Sequence, residues 1–184
     1  MRRKDREMDR DFALDIIDKS EYGVLGIVDG DTPYTVPLSI VRDEDKLYFH
    51  SAIAGKKVEL LKDGCHVSIS FAISVNVPNL FTREEIENMI EKGEFASMGS
   101  KVFTTEFKSA HIIGRCKKVE DKSKKISALM LICKKYTPDI YDLAYKFIEK
   151  SLNRTNVYEI DIEEIKGKRK AFGPDRNELK WGMK

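Results

Sequence analysis

Four residues whose side chains can bind a phosphate group lie close together in the sequence. His50 and Ser51 end a segment typical of a β-strand, and Lys56 and Lys57 belong to the helix predicted for residues 54–61. Backbone amides at the start of a helix, a hydroxyl group and two cations are groups with which proteins bind phosphate. The spacing therefore predicts an anion-binding site where this strand meets the helix.

The sequence also leaves a purely structural interpretation of these residues open. Lys56 and Lys57 are of a type found mostly at the surface, so both could be ordinary solvated cations of a helix. His50 could equally be a strand histidine whose hydrogen bonds are satisfied and that has no chemical role. The residue types alone do not decide between a binding site and a solvated surface.

Three predicted strands position this junction. They are Tyr22–Val28, Tyr34–Val41 and Leu47–Ser51, each rich in β-branched and apolar residues. Pro33 and Pro37 interrupt the second of them, and proline cannot donate a hydrogen bond to a neighbouring strand. We therefore expect this strand to lie at an edge of the sheet or to contain a bulge.

The rest of the chain alternates between further strands and short helices. The predicted helices cover residues 8–19, 82–92, 122–136 and 139–152, with capping-box spacing at Thr82 and Glu85, a cap at Asp121, and Phe147 on the apolar, inward side of the last helix. The predicted strands cover residues 66–75, 102–119 (one bent strand or two, broken at Gly114) and 157–162. Turns are predicted at residues 29–31 and 42–46. Residues 76–100 then form an insertion with a helix and a loop, and residues 167–184 form a basic, irregular tail. About six β segments with few long crossovers predict a mainly β, α+β fold, a single-domain antiparallel barrel with peripheral helices.

Composition excludes several classes of protein. The chain has 184 residues and a formal net charge of +2, which gives no reason to expect a nucleic-acid partner. No apolar run reaches the roughly 18–20 residues that a membrane span needs, so we expect a cytoplasmic protein without a membrane partner. Cysteines and histidines are too scattered for a disulfide framework or a metal site, and reduced, mostly buried thiols are expected instead at Cys65, Cys116 and Cys133.

Sequence motifs of other nucleotide-binding and hydrolytic enzymes are missing. Gly55-Lys56 lacks the upstream glycine of a P-loop, because the position five residues before Gly55 is His50. The chain contains neither a Gly-x-Gly-x-x-Gly fingerprint nor a Gly-x-Ser-x-Gly nucleophile motif. An ATPase, a dinucleotide-binding dehydrogenase and a serine hydrolase are thus all disfavoured.

Four short motifs together resemble one family of flavoproteins. In chain order they are Pro33-Tyr34-x-Val36-Pro37-Leu38, Tyr48-Phe49-His50-Ser51-Ala52, Gly55-x-Lys57 and Phe107-Lys108-Ser109-Ala110-x-x-x-Gly114-Arg115. Their order and spacing are similar to those of the pyridoxamine 5′-phosphate oxidase-like flavoproteins, and within them of the nitroimidazole-resistance branch. The resemblance extends over residues 1–120 and less clearly to residues 162–170. It implies an FMN-binding split barrel that forms a homodimer with the flavin at the subunit interface.

The resemblance also implies roles for individual residues. Lys57, at the Gly-x-Lys position, would bind the FMN phosphate, the strand around Pro37 would line the isoalloxazine ring, and Ser109 would lie near the phosphate. Trp181 could stack on the flavin or on the partner subunit, or simply pack. The full set of expected cofactor-binding residues is Val36, Pro37, Leu38, Ser39, His50, Ser51, Ala52, Lys56, Lys57, Ser109 and Trp181.

The expected function is that of an FMN-dependent oxidoreductase acting on a small molecule, with nitroimidazole reduction as one activity that the branch offers. His50 is the expected catalytic residue, because a histidine beside a flavin can donate a proton or bind an anionic substrate. The alternative is a non-catalytic flavin-binding or heme-type binding and sensing protein on the same barrel, since a fold does not determine a function.

Overall fold

The computed structural model describes residues 2–181, apart from the side chains of residues 95–97. Within this part of the chain the strands are β1 (Glu7–Met8), β2 (Gly23–Asp29), β3 (Thr32–Leu38), β4 (Val41–Asp43), β5 (Lys46–Ala52), β6 (Cys65–Asn76), β7 (Glu106–Lys118) and β8 (Thr155–Lys170). All pairings are antiparallel, in the order β3-β2-β6-β7-β8-β5-β4, and β1 pairs with the far end of β8. The mainly β fold is confirmed, but these residues form eight strands rather than six, because β1 and β4 are too short to show an alternating pattern.

Short helices surround the sheet. They are α1 (Arg10–Lys19), α2 (Lys56–Leu60), α3 (Arg83–Glu91), α4 (Phe95–Val102), α5 (Lys122–Tyr136) and α6 (Ala144–Ser151). None of the helices within the described residues is long and apolar enough to cross a membrane.

The sheet is open and curled, and α2 closes one end of it. The Nζ atom of Lys56 in α2 lies 2.6 Å from the carboxylate of Asp29, the last residue of β2. Inside the curl, the side chains of Phe49, Phe71 and Ile112 are at most 1% exposed. Each buried side chain of this size contributes about 1.5–3 kcal/mol, so burial of this core favours the curled form of the sheet.

A second core lies on the other side of β5 and β8. There α5 and α6 pack against the sheet through side chains such as Ile132 and Ile148, which contact the cluster that includes Tyr48 and Val157. The two cores use alternate residues of the same strands, because successive side chains of a strand point to opposite faces. This alternation also decides which residues near the end of β5 face outward.

The two prolines lie in an edge strand, as predicted. Pro33 pairs with Val28 and Pro37 pairs with Val24, and β3 has no second neighbour in the described sheet. The strand ends at Leu38 rather than at Val41, because the chain turns there and starts the β4–β5 hairpin. The predicted polar turn at residues 42–46 is correspondingly shorter.

The long strands β7 and β8 differ from their predicted bounds. The first is a single strand with an irregularity between Ile113 and Gly114, where a Cβ atom added to Gly114 would lie 2.4 Å from the Asp161 carbonyl oxygen. Only glycine allows this close approach of two backbones. The prediction that β8 ends at Ile162 was wrong, because its charged second half pairs with β7 up to Lys170.

The helix predictions were partly confirmed. Thr82 and Glu85 form the predicted capping box at the start of α3. Residues 95–102 form α4, although a loop was expected up to residue 100 and a strand from residue 102. The helix predicted for residues 139–152 is instead a 3₁₀ segment followed by α6. Its expected inward face is only half buried, since Phe147 is exposed.

One buried carboxylate joins α5 to the sheet. Glu159 of β8 is fully buried, and its carboxylate has four partners. Its oxygens lie 2.7 Å from Lys46 Nζ, 3.1 Å from Lys117 Nζ and 2.7 Å from the Tyr48 hydroxyl. Lys124 of α5 forms a further ion pair with it. Asp161 lies beside it and bridges two of the lysines. We refer to this group as the Glu159 cluster, which consists of Tyr48, Glu159, Asp161, Lys46, Lys117 and Lys124.

Candidate functional site

The end of β5 and the start of α2 bring three of the predicted basic side chains together. Gly55 connects the two elements with a φ of 118°, a conformation that residues with a side chain rarely adopt, so the tight turn depends on this glycine. The helix begins at Lys56 rather than at residue 54. We call the group formed by His50, Lys56 and Lys57 the cationic corner.

Lys57 is the unusual member of the cationic corner. Its Nζ atom lies 5.8 Å from the centre of the Phe49 ring, and that ring stacks on Tyr158 with 5.1 Å between centroids. No carboxylate of the described residues lies within ion-pairing distance of this amine. Partial burial lowers the pKa of Lys57, which means that the charged form lacks part of its hydration. An anion placed here would restore a favourable electrostatic environment.

Lys56 has a different environment from its neighbour. Its amine is paired with Asp29, and the hydrogen bond to that carboxylate raises the pKa of Lys56. The pair holds α2 against the end of β2. A phosphate that used Lys56 would therefore have to share this amine with Asp29.

The side chains of His50 and Ser51 point to opposite faces of β5. The Ser51 hydroxyl is buried on the barrel side and donates a hydrogen bond to the Ala52 carbonyl oxygen at 2.7 Å. His50 lies on the outer side and is solvent-exposed by area, yet nearby protein atoms displace enough water to lower the pKa of its imidazole. The positive charge of Lys57 lowers it further. His50 is therefore neutral at pH 7 and can accept or donate a hydrogen bond.

Only some of residues 36–39, the predicted flavin-binding segment, are exposed to solvent. Val36 and Leu38 are partly buried against the core, whereas Pro37 and Ser39 are exposed on the outer side. Pro37 belongs to a row of outward side chains that crosses the sheet from β3 to β7. This surface, which we call the outer sheet face, consists of Val24, Pro37, Ser70, Ser109 and His111.

Two of the predicted residues lie far from the cationic corner. Ser109 is the partner of Lys168, which is eleven positions along β8 from Val157, the partner of His50. Eleven positions correspond to about 35 Å of extended strand. Ser109 therefore lies near the opposite end of the sheet.

Trp181 is at the same end as Ser109. Its backbone N–H donates to the Asp5 carbonyl oxygen at 3.1 Å, and its half-exposed ring borders a cavity of about 250 Å³ with Glu7 and Met8 of β1. Because Glu7 pairs with Lys168, this cavity lies near the Ser109 end of β8. One copy of the chain thus places the predicted residues in two separate groups.

Sequence reasoning missed Asp29 and Phe49 as parts of the site. Asp29 was interpreted only as a turn residue, and Phe49 only as part of a motif. Phe49 precedes His50 in β5 and faces inward, because side chains of a strand alternate between its two faces. This alternation could have indicated that the Phe49 ring lies below Lys57 of α2. The ion pair of Asp29 depends on the curl of the sheet, which no local pattern shows.

A model of the pyridoxamine 5′-phosphate oxidase family matches residues 9–169 of the chain. The fold is a split, curled antiparallel sheet with helices at its periphery. Because the match covers most of the chain, the protein belongs to the pyridoxamine 5′-phosphate oxidase family. The family prediction from the four motifs is confirmed. Among curated proteins, no sequence matches this chain.

Solved structures with the same fold include proteins of several bacteria. A proposed 5-nitroimidazole antibiotic resistance protein from Bacteroides thetaiotaomicron has a TM-score of 0.64 at 23% identity, with 89% of this chain and 86% of that chain covered. A flavocytochrome from Azotobacter vinelandii has a TM-score of 0.65 at 17% identity (90% and 69% covered). An FAD and heme binding protein from Mycobacterium smegmatis has a TM-score of 0.61 at 16% identity (90% and 73% covered). At these identities the similarity establishes the fold.

Proposed function

We propose that the protein binds FMN, with the phosphate at the cationic corner, and uses it to oxidise or reduce a small molecule. The observation that carries this proposal is the environment of Lys57. A cation that is partly buried, held over an aromatic ring and not paired with a described carboxylate is stabilised by an anionic ligand. The phosphate of FMN carries between one and two negative charges at neutral pH.

The flavin ring fits beside β3. Pro37 and Ser39 face outward, and the outer edge of the strand has no neighbour in the described sheet, so its peptide groups can meet the polar edge of the ring. Bound FMN would supply the ability to accept and donate one or two electrons. The chain would supply the phosphate contact through Lys57 and the ring wall through the segment from Val36 to Ser39.

His50 is the residue for which we propose a role in the reaction. It lies on the outer side, where burial and then the nearby charge of Lys57 lower the pKa of its imidazole. The ring is therefore mainly uncharged at neutral pH. A neutral imidazole in this position can donate a hydrogen bond to a substrate, or hold a proton that a reduced substrate receives. Nitroaromatic acceptors are one candidate class, in view of the Bacteroides protein.

We also propose that two copies of the chain form the complete site. The outer sheet face is apolar in part and uncovered in one copy, with Val28 next to it 73% exposed. In a two-fold dimer that buries this face, one end of the face in one copy contacts the opposite end of the face in the other copy. Such a dimer would bring Ser109 and Trp181 of one copy toward the cationic corner of the other.

Titration of the purified protein with flavins tests the proposal. We expect FMN to bind and give the absorption bands of an oxidised flavin, with riboflavin bound more weakly because it lacks the phosphate. FAD serves as a third ligand, since a solved relative binds it. No binding of any flavin, or a Soret band from heme alone, would contradict the proposal.

Turnover and assembly need separate measurements. NADH or NADPH should reduce the bound flavin, and a nitroaromatic acceptor should reoxidise it; bound flavin that never turns over would instead identify a binding or sensing protein. Light scattering should give twice the chain mass of 21.2 kDa for the flavin-loaded protein. A monomer that still binds FMN would contradict the shared site.

A further inference from the structure

Two cysteines lie directly opposite each other on neighbouring strands, at the α2 end of the sheet. Cys65 is the first residue of β6, and its antiparallel partner on β7 is Cys116. Both side chains belong to the same inward face, since Cys116 is in the barrel core and Cys65 packs against that core. Both thiols are reduced in the structure.

The pairing of the two strands sets the distance between the two cysteines. The Cys116 carbonyl oxygen accepts from the Gly64 amide at 2.8 Å, so the backbone groups of Cys116 point toward β6. The two cysteines are therefore a hydrogen-bonded antiparallel pair, in which the Cα atoms lie about 5.5 Å apart. Disulfides have Cα separations of about 4.4–6.8 Å, so this pair lies within the range that a disulfide spans.

The two thiols differ in access to solvent. Cys65 is partly exposed at the strand end, whereas Cys116 is 1% exposed. Burial raises the pKa of both thiols, and their mutual proximity raises that of Cys116 further. Both are therefore mainly protonated at neutral pH, and because the thiolate is the reacting form, their reaction with a hydroperoxide is slow and needs a high peroxide concentration.

We propose that Cys65 and Cys116 are a thiol modification site that forms a reversible intrachain disulfide when a hydroperoxide reaches Cys65. In the first step the Cys65 sulfur attacks the peroxide, the O–O bond breaks, and Cys65 becomes a sulfenic acid with release of water (or an alcohol). In the second step the Cys116 sulfur attacks the sulfenic acid, forming the S–S bond and releasing a second molecule of water. The peroxide gains the two electrons that the two thiols lose.

The position of this bond gives it a structural consequence. It would close the loop of chain between β6 and β7, which carries α3 and α4, at a point directly after the turn that follows α2. Cys116 also lies close enough to Tyr158 to affect the pKa of its hydroxyl, and Tyr158 stacks on Phe49 below Lys57. The disulfide would thus fix the end of the barrel that borders the cationic corner.

Peroxide treatment followed by thiol counting tests the site, with Cys133 as the internal control. After exposure to millimolar hydrogen peroxide and removal of the excess, we expect the denatured protein to contain one alkylatable thiol instead of three, and a reductant to restore three. Peptide mapping should identify a Cys65–Cys116 cross-link with the mass of two hydrogen atoms missing. The variant Cys133→Ser should form the same cross-link at the same rate.

The variant Cys65→Ser should form no intrachain cross-link, and because its side chain is partly exposed, we expect it to fold. Cys116→Ala checks the other partner without adding a buried hydroxyl. Two results would overturn the proposal: Cys116 remains alkylatable while Cys65 proceeds to sulfinic acid, or the cross-link that forms contains Cys133. These measurements do not depend on whether a flavin binds.

Discussion

Lysine side chains gather in two regions of this molecule, the cationic corner and the Glu159 cluster, and the two regions treat their charges differently. In the Glu159 cluster three lysines surround two carboxylates, and every lysine has an anionic partner. In the cationic corner Lys56 has Asp29, but Lys57 has an aromatic ring and no described carboxylate. Both regions adjoin β5: the Glu159 cluster lies on its α5 side, and Lys57 lies over the ring of the inward-facing Phe49.

The two pKa patterns reflect this difference. Hydrogen bonds from the lysines and from Tyr48 hold the pKa of Glu159 well below its usual range despite the burial that opposes them, and Asp161 and Glu159 raise the pKa of Lys46. The pKa of Lys57 is instead lowered by burial alone. A saturated set of charges stabilises a fold, whereas an unpaired and partly buried cation costs stability unless a ligand binds.

The largest expected effect comes from breaking the Glu159 cluster. The variant Glu159→Gln leaves three neighbouring lysines without their buried counter-charge. We expect it to lower the free energy of unfolding by about 2–3 kcal/mol. This is less than the usual cost of breaking a buried ion pair, because the lysines reach solvent. Chemical denaturation measures it. Asp161→Asn is the matched control, since that carboxylate is partly exposed, and should cost less than about 1 kcal/mol. Equal losses would show that the buried carboxylate has no special role.

The next largest effect should come from acid, which protonates carboxylates that are paired with cations in the folded protein. Arg6 lowers the pKa of Glu178 to about 2, against burial, and the pKa of Glu159 is also depressed. A depressed carboxyl pKa contributes stability above the unfolded value near 4.5, and that stability is lost as the pH falls toward about 2. We expect unfolding experiments between pH 5 and 2 to show this loss, about 1–2 kcal/mol of it from Glu178. The slope should flatten in Glu178→Gln, and an unchanged slope would contradict this assignment.

Local sequence patterns predicted the elements whose signals are local. The capping box at Thr82, the cap at Asp121 and the edge-strand prolines each act within a few residues, and each was confirmed. The second half of β8 was missed because Glu163 and Glu164 remove the alternation, although β7 and β1 pair with that half.

The candidate site was predictable only in part, for the same reason. The motif at residues 48–57 indicated the cationic corner, but the Lys56–Asp29 pair and the Glu159 cluster join residues 27 to 115 positions apart in the chain. Such contacts follow from strand order and register, which the sequence pattern does not specify. The roles proposed for Ser109 and Trp181 stay predictions, since one copy of the chain does not bring them to His50.

A smaller effect concerns the coupling between His50 and Lys57. In the flavin-free protein, NMR titration should give His50 a pKa below its ordinary value of 6.5. Lys57→Met removes the second cause of that shift and should raise the pKa by less than about one unit. Lys56→Met is the control and should leave it unchanged. A His50 pKa that ignores both substitutions would show that the imidazole and Lys57 do not share a site.

The most direct test of the unpaired lysine is a comparison of FMN and riboflavin affinities in two matched variants. Lys57→Met should weaken FMN binding by about 10- to 100-fold, the value of one charge-assisted hydrogen bond, and leave riboflavin binding unchanged. Lys56→Met, which removes an amine already held by Asp29, should change FMN affinity by less than about fivefold. Equal losses for both ligands in Lys57→Met, or a larger loss in Lys56→Met, would contradict a phosphate site at Lys57.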